Sequence, residues 1–346
     1  MLSLIGIGGA GCRIVDDFYN RSSVTDFLTK FSSKKRGFVG VAIDTSDSIS
    51  QLKNIPKSHM ILIGKSRTKA HGTGINVELG KKIMTEEAEL VLNLMHKAGF
   101  DKDDLLIAFA GLGGGTGTGS IPVIVEKIKE VYRAPVLGVF VLPSIAEGKV
   151  HLKNTHENLK RVISSVDGAM ILDSNVPMKR GEDSLSTFKM VDEMIVKLFT
   201  LVLSVEENIL RNTLSSVSTF AYTAERAKDI SIKETIEKMI RDDVFLKFDM
   251  HKCEKLVFIA KGDLGTLFDA DFARGWIKKK FGYEVEYMFH DEPNAKQTEM
   301  GLMVIGIKDL SNRFDELIKT RNNDKNVEEK MGSELDELLG GIQSIM

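Results

Sequence analysis

The chain has 346 residues, 42% hydrophobic and 28% charged, the composition of folded domains with proper cores rather than of disorder. Its 47 basic and 49 acidic residues leave a net charge of -2 with no basic arm or block, which argues against general adhesion to nucleic acid or an anionic membrane. No apolar run approaches the roughly 18 residues of a membrane span, and Cys12 and Cys253 form neither a metal-type pair nor a disulfide framework, so a cytoplasmic protein with no transmembrane segment is expected.

The first apolar run, Leu2–Ile7, lacks the charged flank of a signal peptide and leads into a glycine turn, so it reads as a strand. Phe38–Ile43, Met60–Ile63, Leu105–Ala110, Val136–Leu142 and Ala169–Leu172 read likewise, as strands buried on both faces. Between them, Cys12–Asn20, Val77–Lys97, Ser120–Val131 and Val150–Val166 carry helical periodicity. This alternation predicts an α/β fold, a mostly parallel sheet of Rossmann-like layout with helices on both faces. Ligands of such sheets bind beyond the carboxyl ends of the strands. From Met190 to Val205 apolar residues run nearly all the way round, so this helix is buried on every face and is expected between two domains. A smaller α/β domain follows: helix Ala224–Arg241, strand Leu256–Ala260, helix Leu267–Phe281, strands Glu284–Phe289 and Gly301–Ile307, helix Arg313–Thr320. Arg321–Lys330 reads as a polar linker. Ser333–Met346 has the spacing of a short acidic amphipathic helix, equally suited to docking an adaptor or its own domain.

Chemistry concentrates in Gly113-Gly114-Gly115-Thr116-Gly117-Thr118-Gly119-Ser120, between a strand and a helix. That order aims backbone N–H groups and a helix dipole at phosphate oxygens, and glycines remove the Cβ atoms that would hold an anion away. A second turn, Gly6-Ile7-Gly8-Gly9-Ala10-Gly11, follows the first strand. It satisfies the dinucleotide fingerprint, but Asp44 stands 33 positions after Gly11 where about 20 is usual. Two such turns on separate strands suit a mononucleotide di- or triphosphate better than a dinucleotide.

At these residues the chain resembles the tubulin/FtsZ superfamily, from Met1 to about Thr320, and within it the archaeal CetZ and FtsZ-like branch. The resemblance implies GTP or GDP as ligand, with Mg²⁺ accompanying the triphosphate. It assigns nucleotide contacts to Gly8, Gly9, Ala10, Gly11 and Cys12, then to Asp44 in a second loop and Gly72 in a third. Gly113, Gly114, Gly115, Thr116, Gly117 and Thr118 form the signature loop. Glu147 matches the acid that contacts the ribose, and His151 stands where FtsZ usually has arginine. Phe188 would stack on guanine and Asp192 would accept its N1 and N2 hydrogens. The family asparagine falls on Ser174 by direct spacing, with Asn175, one residue later, the preferred candidate. The division implied is 1–189 for GTP binding, 190–212 for the central helix, 213–320 for the C-terminal domain and 321–346 for linker and tail.

In this superfamily, acids in a loop after the central helix of one subunit polarise water on the nucleotide of the next. FtsZ carries them as N-x-D-F-A-D. Val217-Ser218-Thr219-Phe220-Ala221-Tyr222 is the nearest match, which puts Thr219 and Tyr222 at the acid positions, with Glu206, Glu207 and Glu225 as possible substitutes in another register. No confident catalytic residue follows, and hydrolysis is expected to be weak or absent. The leading expectation is a cytoskeletal protein assembling head to tail into filaments, alone or with other tubulin/FtsZ-like proteins, with a role in cell shape or division. The alternative is a non-polymerising GTP-bound scaffold or regulator. An NAD-dependent enzyme would leave Gly113–Gly119 unexplained.

Overall fold

The computed structural model describes residues 2–20, 38–102, 104–178, 184–205, 207–214, 216–225, 231–264, 270–282 and 285–308. The expected helix Arg313–Thr320, the linker and the tail Ser333–Met346 lie outside them. Strands β1 (Leu2–Ile7), β2 (Phe38–Asp44), β3 (Met60–Leu62), β4 (Leu105–Gly111), β5 (Val136–Leu142) and β6 (Gly168–Asp173) pair in parallel. They alternate with helices α1 (Gly8–Asn20), α2 (Lys65–Thr68), α3 (Val77–Ala98), α4 (Gly115–Tyr132) and α5 (Lys149–Ser165). The short α6 (Asn175–Met178) precedes the long α7 (Ser184–Val205). Then come β7 (Val217–Glu225), α8 (Ile232–Lys238), β8 (Lys255–Gly262), α9 (Ala270–Phe281), β9 (Val285–Asp291) and β10 (Thr298–Ile305).

All ten strands form one sheet in the order β3-β2-β1-β4-β5-β6-β7-β10-β8-β9. The chain direction of winding reverses between β1 and β4, which makes that crevice the topological switch point where open α/β sheets bind ligands. Both glycine turns leave from it, one after each of those strands. Strand side chains alternate as period two requires: Leu2 and Leu4 of β1 face one core, Ile5 and Ile7 the other. The first core lies under α1 and α7, the second under α3, α4 and α5.

Helix α7 is buried nearly all round, with Val191, Ile195, Val196, Leu198, Phe199, Leu201 and Val202 at most 1% exposed. Phe18 of α1, Phe109 of β4 and Phe199 of α7 form a triangle with ring centroids 5.6 to 6.0 Å apart. Such aromatic contacts add about 0.5–1.5 kcal/mol each beyond area burial. They fix α7 against α1, and so set the distance between the residues that these helices carry two turns earlier.

One expectation is overturned here. No helix begins at Ala224: the chain first runs through β7, and α8 covers only Ile232–Lys238, continued by a π turn over Met239–Asp243. The physical reason is composition, since Val217-Ser218-Thr219-Phe220-Ala221-Tyr222-Thr223 is rich in β-branched and aromatic residues that fit a pleated, buried surface. Among the described residues, no helix is long and apolar enough to cross a membrane.

Candidate functional site

At the switch point the two turns enclose a cavity of about 260 Å³. From the first turn, Gly8, Gly9 and Ala10 line it; from the second, Gly114, Gly115, Thr116 and Gly117. Glu147 and His151 stand on the opposite wall, and Phe188, Val191 and Asp192 of α7 close the far end. The remaining residues assigned from the sequence, Gly11, Cys12, Asp44, Gly72, Gly113, Thr118 and Asn175, do not line the cavity. The structure gives each of them another task.

The glycines divide by function. Gly114 caps α4 and is the one whose added Cβ would meet nothing within 4 Å, so its empty space belongs to the cavity. Gly113 has φ +91°, a left-handed conformation that favours glycine. A Cβ on Gly115 would strike Thr73 and the Asn76 carbonyl, and one on Gly119 would strike the start of α3. A Cβ on Gly117 would lie 2.6 Å from the Gly111 carbonyl. Packing thus demands as many of these glycines as an anion would. Gly11 likewise lets α1 approach the Phe109 carbonyl of β4.

Side chains outside the cavity hold the loops in shape. Thr118 Oγ1 accepts from the Gly113 N–H at 2.9 Å. Thr45 and Thr116 share a hydroxyl hydrogen bond of 2.7 Å, which ties the second loop to α4. Asp44 is buried with its carboxylate accepting from the Thr45 N–H, and burial raises its pKa. Gly72 donates its N–H to the Thr45 carbonyl. The thiol of Cys12 faces the carbonyls of Gly6 and Ile43, and burial pushes its pKa well up, so it is an inert structural thiol. Asn154 was not singled out from sequence, yet its Nδ2 donates to the carbonyls of both Ile75 and Gly113 at 2.9 Å, clamping the third loop to the glycine loop. Its only signal was a place one turn after His151 on α5.

At the base end the spacing question resolves into two distinct environments. Asn175 spends its amide locally, Oδ1 accepting from the Ile145 N–H and Nδ2 donating to Asp173. Ser174 lines the cavity, 1% exposed, and its hydroxyl has no hydrogen-bond partner. Glu147 receives the Ser144 N–H on Oε1 at 2.7 Å, and its own carbonyl accepts from His151 Nδ1 at 3.1 Å. Asp192 is 4% exposed and pairs with Arg13, whose Nε lies 3.0 Å from Oδ2. Burial is the main force on this carboxyl and lifts its pKa to about 7, against the lowering effect of Arg13. Arg13 was the second residue that sequence reasoning passed over.

The positions expected to carry the catalytic acids are not in a loop. Thr219 and Tyr222 lie within β7, both buried; Thr219 Oγ1 donates to the Ile171 carbonyl and the Tyr222 hydroxyl to Glu299. The expectation fails because Phe220-Ala221 matched a two-residue fragment of the family loop while the strand pattern around it was stronger. Glu225 ends the same strand and pairs with Lys238. The segment that does follow α7 runs from 206 to 216, with a 3₁₀ turn at Glu207–Thr213; Glu206 lies outside the described residues. Among the described residues no cluster of three or more His, Cys, Asp or Glu side chains could hold a metal ion.

Two main-chain turns at a switch point, open to solvent through one bare glycine and closed by a buried carboxylate, define a mononucleotide-type site. The Tubulin/FtsZ family GTPase domain matches residues 2–179, and the chain belongs to that family. It is 31% identical to the tubulin-like protein CetZ1 of Haloferax volcanii, over 65% of this chain and 59% of that one, and 30% identical to CetZ3 of the same organism over 64% and 60%. The chain thus aligns with about three-fifths of the length of these relatives. In structure it resembles Haloferax volcanii CetZ1 as a GDP-bound monomer, with a TM-score of 0.79 and 27% identity over 94% of this chain and 99% of that one. The fold is shared with a GTPγS-bound protofilament of CetZ2, TM-score 0.77 at 20% identity over 94% and 99%.

Proposed function

We propose that this chain binds GTP in the cavity between its two glycine turns and assembles head to tail with further copies into cytoplasmic filaments that act in cell shape or division. The observation that carries the reading is the pairing, in one cavity, of the bare backbone around Gly114 with the buried acceptor Asp192 two helices away. The first suits phosphate oxygens, and the second suits a base edge rich in N–H donors. Ser174, buried against the cavity with an unpartnered hydroxyl, is a polar group that a nucleoside would satisfy. Glu147 and His151 border the region between the two ends and would meet the sugar and its first phosphates. Mg²⁺ arriving with the triphosphate would take most of its ligands from phosphate and water.

Assembly is proposed from kinship, since a related CetZ2 has been seen as a protofilament. Weak hydrolysis was expected because Thr219 and Tyr222 stood for the acids, and their burial in β7 removes that support. It also removes the motive for the scaffold alternative. Hydrolysis, in the reading favoured here, is confined to assembled chains, with Glu206 and Glu207 as the acids that one copy offers to the next.

Two measurements test the reading together. Nucleotide released from the denatured protein should be GTP or GDP, and light scattering should rise on adding GTP but not ATP. Protein that binds neither guanine nucleotide overturns the site; protein that binds GTP yet stays monomeric at every concentration overturns the filament.

A further inference from the structure

Arg13 is the residue the nucleotide reading leaves without a role, although it lines the same cavity. Its Nε lies 3.0 Å from Asp192 Oδ2, and its guanidinium carbon lies 5.8 Å from the centre of the Phe188 ring. The side chain of Arg13 is 46% exposed and that of Asp192 5%. A half-exposed cation therefore leans over an aromatic ring to reach a buried anion, and among the described residues nothing donates to Asp192 Oδ1.

Resting on the reading of this cavity as a GTP site, we propose that Arg13 is the positioning residue for guanine selectivity: it keeps the Asp192 carboxylate ionised and turned to the base edge. An ionised carboxylate is acceptor-only, which matches the adjacent N1–H and N2–H donors of guanine. Its protonated form carries one donor and fits instead an N–H beside a carbonyl, the edge that xanthine presents. The other guanidinium N–H groups suit the O6 acceptor of guanine and oppose the amino group that adenine carries there.

The electrostatics point the same way. A buried carboxyl without a counter-charge neutralises rather than staying ionised. Burial already lifts Asp192 to about 7 with Arg13 in place. The charged groups that face it are both on α1: Arg13, which favours the anion, and Asp17, which opposes it. Glu147 and His151 line the same cavity from the opposite wall. Removing Arg13 leaves Asp17 unopposed, and the acid is then protonated at neutral pH.

The test is calorimetric titration of wild type, Arg13→Gln and Arg13→Lys with GTP, XTP and ATP between pH 6 and 9. Arg13→Gln should lose GTP affinity at pH 7 by about tenfold for each unit its midpoint moves. It should regain that affinity toward pH 9, and its preference for GTP over XTP should relax. Arg13→Lys keeps the charge and should keep a midpoint near that of wild type. Recovery at high pH is itself proof that the variant is folded. An Arg13→Gln protein with wild-type affinity and midpoint overturns the inference, as does a loss that is independent of pH and equal for GTP and XTP. Arg13→Lys shifting as far as Arg13→Gln overturns it too. A wild type that binds no GTP at any pH sinks the nucleotide reading, a result no variant comparison would resemble.

Discussion

A buried acid with a pKa near 7 makes Asp192 a source of pH dependence in the ligand-free protein. Its ordinary value is 3.8 and its folded value about 7, so the folded chain holds the proton more tightly than the unfolded one. The stabilising effect of that proton is therefore complete below about pH 4 and is lost as pH rises through 7. The shift corresponds to as much as about 4 kcal/mol. Asp192→Asn removes the titration, so the ligand-free variant should be more stable than wild type at pH 8, with the gap narrowing toward pH 5. Urea unfolding at the two pH values measures this, and a gap that does not change with pH would count against it. The role of Asp192 was legible because it begins an all-apolar helix, where a charge needs a reason. Ser174 against Asn175 was not: one residue of spacing decides which side chain enters the cavity, and sequence carries no such register. Arg13 was hidden for another reason, because an arginine on a helix reads as a solvated charge until the helix packed against it is known.

Elements were more legible than residues wherever one signal acted alone. The six parallel strands and the helices between them follow from apolar runs and period, and α1 and α4 start several residues earlier than expected because their first turns are built from the glycines themselves. Strand β7 was missed because two matching residues, Phe220 and Ala221, outweighed seven residues of strand propensity. The glycine loop was legible as a unit, but the division of labour within it was not. Its packing duties depend on α3, whose Gly80 would also collide with the Gly115 carbonyl if it carried a Cβ. This division makes a prediction. Gly114→Val places its side chain in open cavity, so the protein should fold with near-normal melting temperature and lose nucleotide binding. Gly115→Val drives a side chain into Thr73 and Asn76 and should cost about 1–3 kcal/mol of stability as overpacking. Thermal melts alongside nucleotide titration separate the two, and a Gly114→Val protein that binds as wild type would remove phosphate from that end of the cavity.

At the scale of the whole molecule, the sheet continues from the nucleotide half into the C-terminal half through two register pairs, Ala169 with Val217 and Met170 with Ser218. Helix α7 packs on both halves, touching α1 on one side and β8 and β10 on the other. The cavity lies at one end of α7, and the segment 206–216 leaves from the other. A helix of 22 residues spans about 33 Å at 1.5 Å per residue, too far for that segment to reach the cavity of its own chain. Carboxylates at Glu206 and Glu207 could act on the phosphate end only of a neighbour, which is why turnover is proposed for assembled chains alone. GTP turnover per chain should therefore rise with protein concentration and level off once filaments dominate. The double change Glu206→Gln with Glu207→Gln should lower it by about 10²- to 10⁴-fold, the usual cost of losing a general base, while GTP-dependent sedimentation persists. Turnover that is the same in dilute and assembled protein would place the chemistry within one chain. Turnover untouched by the double change would mean that the acids lie elsewhere.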